Sequence, residues 1–96
     1  MDPLIAALNQ IASAVKKSDR VATLKAIELA RECVAAHGVR PPIGGETALL
    51  QNLDEELKIW HSKIDVILKE PIARQGMAKH ATYWVEKIQK DSWQKN

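Results

Sequence analysis

Cys33 and His37 stand one helical turn apart in the stretch RECVAAHG, and a thiol beside an imidazole is the minimum equipment for nucleophilic catalysis. His61 and Asp65 have the same spacing and would supply two ligands to a zinc ion. Gly44-Gly45, ahead of a helix start, has the form of a loop that cradles an anion. Arg74, Lys79, His80, Lys87, Lys90 and Lys95, with Tyr83 and Trp93 as stacking groups, are the makings of a nucleic-acid surface.

Each constellation lacks a member that its chemistry requires. Cys33 lies in an Ala-rich helical face with no third group to orient His37, so it reads as a small buried residue. A zinc site needs three or four convergent ligands, and His80 falls on the opposite flank from His61 in the helical register below. The Lys-Ser/Thr of a phosphate-binding loop is missing, and Glu46 would repel phosphate, so Gly44-Gly45 reads as a linker. The bases of the last helix are spread around its circumference, as on a solvated face. Leu29 to Val39 resembles the first helix and turn of a helix-turn-helix, but Pro41-Pro42 stands where the recognition helix would begin. No catalytic residue, metal ligand or cofactor site is assigned, and the chain is not expected to be an enzyme.

The totals exclude further classes. Ninety-six residues, 46% apolar and 27% charged, match one soluble domain with a modest core. The formal charge of +2 is too small to announce nucleic acid or an acidic membrane surface. Cys33 is the only cysteine, which points to a reducing compartment. Met1-Asp2-Pro3 lacks the pattern of a secretory signal, and no window approaches the roughly 18 apolar residues of a membrane span. Cytoplasm, of a cell or an infected host, is expected.

The elements that must position these residues are helices. Asp2 can cap and Pro3 can start a first helix, on which Leu4, Leu8, Ile11 and Val15 share one face to about Lys17. Ser18-Asp19 offers a second cap, and strong helix formers run from Arg20 to His37, with Glu28 and Arg31 one turn apart. Gly38 is placed to end that helix in a Schellman turn, with Val39 against Val34. Residues 38–45, rich in Pro and Gly, read as a linker. A third helix from Glu46 to Lys69 carries Leu50, Leu53, Leu57, Trp60, Ile64 and Ile67, and Pro71 forces Glu70 out of helical geometry. A fourth runs to about Asp91 with Met77, Ala81, Trp84 and Ile88.

Folding back at Pro71 pairs Ile64 with Met77, Trp60 with Ala81, Leu57 with Trp84 and Leu53 with Ile88, so each tryptophan meets a smaller side chain. Folding back at Ser18 pairs Leu4 with Cys33, Leu8 with Leu29, Ile11 with Ala26 and Val15 with Ala22. The expected fold is an all-α antiparallel four-helix bundle in a single domain, hairpin 3–37, linker 38–45 and hairpin 46–92. In the alternative, Pro71 or Ser18 kinks a longer helix and a dimer builds the bundle. Residues 46–70 hold six acids and three bases, net −3, and residues 71–96 two acids and five bases, net +3, which favours pairing the last two helices and sets Glu56 on the flank of Lys87.

Ile59 and Val66 fall outside the apolar stripe of the third helix, on the side away from His61. With the His61 flank turned inward, Ile59, Val66 and Leu49 form part of a protein-binding patch, and Trp93 is a second candidate anchor. The expected function is protein-protein contact, as an inhibitor, adaptor or assembly subunit of phage, plasmid or bacterial origin, with a protein partner or a homodimer. The alternative is a nucleic-acid-binding regulator using the basic last helix.

Overall fold

The computed structural model describes residues 2–38 and 46–90, and their elements are α1 (Pro3–Lys16), α2 (Arg20–Gly38), α3 (Glu46–Lys69) and α4 (Pro71–Lys90). Asp2 caps α1 as its chemistry requires: its carboxylate accepts from the Leu4 amide at 2.8 Å, with Pro3 at a position where no amide proton is needed.

The corner between α1 and α2 is a Schellman turn built on serine. Ser18 adopts φ of 57°, its amide donates to the Val15 carbonyl at 3.1 Å, and the Asp19 amide reaches back to Ala14 at 3.1 Å. Asp19 at once begins the next helix, its carboxylate accepting from the Ala22 amide at 3.0 Å. Its carbonyl also takes the hydroxyl of Thr23 at 2.6 Å, which satisfies a side chain buried completely in the core. The similar ending expected at Gly38 involves Val39, which lies outside the described residues, as does the rest of the 39–45 linker.

At the second corner Glu70 alone leaves helical geometry, as Pro71 dictates. Arg74 closes this corner by donating from its guanidinium to the Leu68 carbonyl, one of the acceptors that a helix end leaves open.

The helices form a ring in chain order: α1 touches α2 and α4, and α3 touches α2 and α4. Named contacts give the directions. Across α2 and α3, Arg20 meets Asp65 while Arg31 meets Asp54, so residue numbers rise on one helix as they fall on the other. Across α3 and α4, Arg74 meets Leu68, His80 lies beside Trp60, and Trp84 meets Glu56, which is again antiparallel. Near the other end of α2, Cys33 lies within reach of the charge of Asp2, so α1 and α2 are antiparallel as well. The 24 residues of α3 would span about 36 Å at 1.5 Å per residue, which matches the 39 Å long axis of the molecule.

All the large residues placed on the stripes of α1, α3 and α4 are in the core except Ile67, which is half-buried. On α2 the expected row is displaced. The buried residues are Thr23, Ala26, Ile27, Ala30 and Val34, while Leu29, assigned to pack on Leu8, is exposed. The reason is the ring: α2 touches both α1 and α3, so its buried arc is centred between them rather than aimed at α1 alone. Leu49 is a second correction. Expected on an open patch, it is 8% exposed and belongs to the core, because a corner helix with two neighbours buries an arc wider than a single stripe.

Candidate functional site

α3 presents three different surroundings, and each is set by which neighbour it faces. Toward α2 lie Asp54, His61 and Asp65. Arg20 Nε donates to Asp65 Oδ1 at 2.7 Å, Arg31 Nε to Asp54 Oδ1 at 3.2 Å, and His61 Nε2 lies 3.4 Å from Glu28 Oε2. The Arg20 hydrogen bond and positive charge hold the Asp65 carboxyl below its ordinary value, and the same bond raises the Arg20 guanidinium. Thus the pairs suggested by spacing along one helix, Glu28 with Arg31 and His61 with Asp65, are replaced by pairs across the seam. His61 and Asp65 are directed to two different α2 residues, not to a shared ligand. Among the described residues no group of three or more His, Cys, Asp or Glu converges as a metal site would require.

Toward α4 the seam is aromatic. Glu56 Oε1 accepts from Trp84 Nε1 at 2.6 Å and also meets His80 Nδ1. His80 stacks on Tyr83 with ring centroids 5.2 Å apart and planes 6° from parallel, and it stands edge-on to Trp60 and Trp84, each at 6.3 Å. Glu56 therefore ties two α4 side chains at once, where the sequence suggested Lys87 as its partner. The buried indole N–H needs an acceptor, and Glu56 supplies one without leaving the rim.

The third surrounding is the outward face that α3 and α4 share. On α3, Ile59 follows Glu56 by three residues, which rotates it about 60° further from the core on the side away from α2; Val66 follows Lys63 in the same way. They are 51% and 64% exposed. On α4, Tyr83 follows His80 by three and Gly76 precedes it by four, so both lie on the same outward side. Tyr83 is 47% exposed, and Ile72, at the start of α4, is 84% exposed. Gly76 escaped the sequence reading and Tyr83 entered it only as a stacking group for nucleic acid, although their seven-residue spacing matches that of Ile59 and Val66 and was the available signal. Val21 and Leu29 are also exposed, but on α2 and eight positions apart, as single surface apolar residues commonly are.

Trp93 lies outside the described residues, as do Gly44-Gly45 and the side chain of His37. Cys33 is half-buried; burial first, then the negative charges of Asp2 and Glu32, pushes its thiol up, the opposite of what a nucleophile needs. Among the described residues no helix is long and apolar enough to cross a membrane. Of the bases on α4, Arg74 is engaged with the Leu68 carbonyl, and the Tyr83 ring has one face occupied by His80. Comparison with protein-family models, with curated proteins and with solved structures found no match to this chain.

Proposed function

We propose that this chain is a small helical contact module, an inhibitor, adaptor or assembly subunit without chemistry of its own, which acts in the cytoplasm of a cell or infected host. The observation that carries the reading is the outward α3–α4 face, where Ile59, Val66 and Tyr83 stand exposed on one side of two adjacent helices while Glu56, His80 and Trp84 beside them are paired with one another. Apolar and aromatic side chains gathered on a polar rim are what a protein partner buries. The raised Cys33 thiol, and the engagement of His61 and Asp65 with α2, support reading those groups as structural.

The test is capture from extract of the source cells by the wild type and by the double variant Ile59→Glu, Val66→Glu, with circular dichroism to show that both are helical. Specific capture by the wild type alone supports the contact reading. Equal capture by both variants, or none by either together with a monomeric mass, removes it. Binding to random duplex DNA whose log affinity falls steeply with log salt would replace it with the nucleic-acid reading.

A further inference from the structure

We propose that the corner between α1 and α2 is a hinge: when Ser18 goes over to helical geometry, α1 and α2 become one helix, and two copies of the chain exchange α1. The outward α3–α4 face plays no part, so the contact reading above is not a premise. Ser18 is the starting point. Its φ of 57° is left-handed, a conformation that a Cβ disfavours. The stretch Lys16-Lys17-Ser18-Asp19-Arg20 contains neither Pro nor Gly, so nothing in it forbids a helix. Lys17, at φ −89° and ψ 0°, already lies beside the helical region, which concentrates the reversal in Ser18 and Asp19. At the α3–α4 corner, by contrast, Pro71 stands against a continuous helix.

A continuous helix would carry one apolar face. At 3.6 residues per turn, the buried Ile11, Val15, Ala26 and Ala30 fall within an arc of about 100° on a single axis, and Thr23, Ile27 and Val34 extend it by about 60° to one side. The corner therefore folds one apolar face back on itself. Straightening removes α1 from its place between its own α2 and α4, where Leu4, Leu8, Ile11 and Val15 are fully buried. The identical groove is that of a second copy whose own α1 has left. Exchange between two copies restores every contact that straightening breaks, apart from the corner itself, and relieves two left-handed serines.

In the exchanged form the two long helices run antiparallel about a two-fold axis near Ser18, and each bundle holds α1 of one chain with α2, α3 and α4 of the other. Both described corners lie at one end of the molecule, because Arg20 meets Asp65 and Arg74 meets Leu68. Exchange sets these ends against each other, and Val21 and Ile72, 60% and 84% exposed, stand there. The charges at that end are mixed, Lys16, Lys17 and Lys69 with Asp19 and Glu70, so no surface of a single sign meets its copy. The proportion exchanged follows the concentration at which the chain folds, so the hinge makes the assembly state answer to the amount of chain.

The experiment refolds the full chain from urea at about 1 μM and at about 1 mM and reads its mass by sedimentation, for the wild type, Ser18→Ala and Ser18→Gly. The wild type refolded at the higher concentration is expected to contain dimer. Ser18→Ala, which keeps the Cβ and favours helix, should contain more. Ser18→Gly occupies the corner without strain, so its dimer should be weaker by about 25-fold or more, about fivefold for each of two hinges. Spin labels on Asn9→Cys and Leu29→Cys, both exposed positions, in a Cys33→Ala chain refolded with excess unlabelled chain, read the distance within one chain. It should be that of neighbouring helices in the monomer and lengthen to about 30 Å in the dimer, the span of about 20 helical residues. Circular dichroism checks that each variant is helical; if Ser18→Ala does not fold, the wild type against Ser18→Gly decides. A wild type that stays monomeric, a folded Ser18→Ala with less dimer, a Ser18→Gly dimer as tight as the wild type's, or a dimer with the monomer's label distance overturns the hinge. A dimer abolished by Ile59→Glu and Val66→Glu would belong to the outward face, which overturns exchange and leaves the contact reading standing.

Discussion

Along α2, the rim of α3 is held by charge: Arg20 with Asp65, Glu28 with His61 and Arg31 with Asp54, all with substantially exposed side chains. Along α4 it is held by two buried tryptophans, a histidine and a tyrosine gathered around Glu56. Both seams are antiparallel and both flank the same core, yet they use different physics. Exposed ion pairs add little energy but penalise wrong neighbours and wrong registers, because a displaced helix would set like charges together. Buried aromatic surface supplies energy, and the indole N–H demands one acceptor in one place. The α2 seam therefore chooses which helix lies where, and the α4 seam makes the choice stable.

The contrast can be broken most severely at Trp84. Trp84→Ala removes a buried indole and should cost about 3–5 kcal/mol in urea unfolding, enough to leave a domain of this size marginal. Glu56→Ala leaves the Trp84 N–H without its acceptor and should cost about 1–3 kcal/mol by the same measurement; a cost near zero would show that water replaces the carboxylate freely. Ser18→Gly tests the corner rather than a seam. Glycine occupies the left-handed conformation at Ser18 without the Cβ penalty, so thermal unfolding should report a gain of about 1 kcal/mol. Arg31→Ala, on the charged seam, should cost under about 1 kcal/mol and less still at high salt.

The smallest effect expected is a pH dependence. Asp65 has its folded value lowered by Arg20, so its stabilising contribution is present at and above the ordinary aspartate value of 3.8 and is lost as pH falls through the depressed folded value. Asp65→Asn should therefore be less stable than the wild type at neutral pH, with the difference closing in strong acid. Chemical denaturation at several pH values reads this directly, and a gap that widens toward acid would contradict it.

Helix positions were legible in the sequence because caps and breakers act locally. Asp2-Pro3, Asp19 and Pro71 each act within one turn, and the bounds of α3 follow from Glu70-Pro71 and from the end of the Pro-Gly stretch. The antiparallel contact of α3 with α4 was also legible, because two apolar stripes joined by a short corner must face each other, and Trp60 beside His80 and Trp84 beside Glu56 lie one position from the expected register. The Schellman corner at Ser18 was not, since serine adopts that conformation only when the two helices it joins insist on it. The displaced face of α2 was hidden for a related reason: alanine is so common on that helix that periodicity hardly separates one face from the next, and contact with α3 decided the matter. Leu49 was read as surplus because a single stripe, not a corner arc, was the measure of burial.

By itself, then, the chain determined where helices start and stop and that the stripes of α3 and α4 face inward, because those outcomes depend on groups a turn apart or on two stripes joined by a short corner. Only the tertiary structure decided that α2 lies against both α1 and α3, that Glu56 joins Trp84 to His80, and that Ile59, Val66, Gly76 and Tyr83 share one outward side. The rotation of a helix about its own axis is set by everything it touches at once, and no local pattern contains that information.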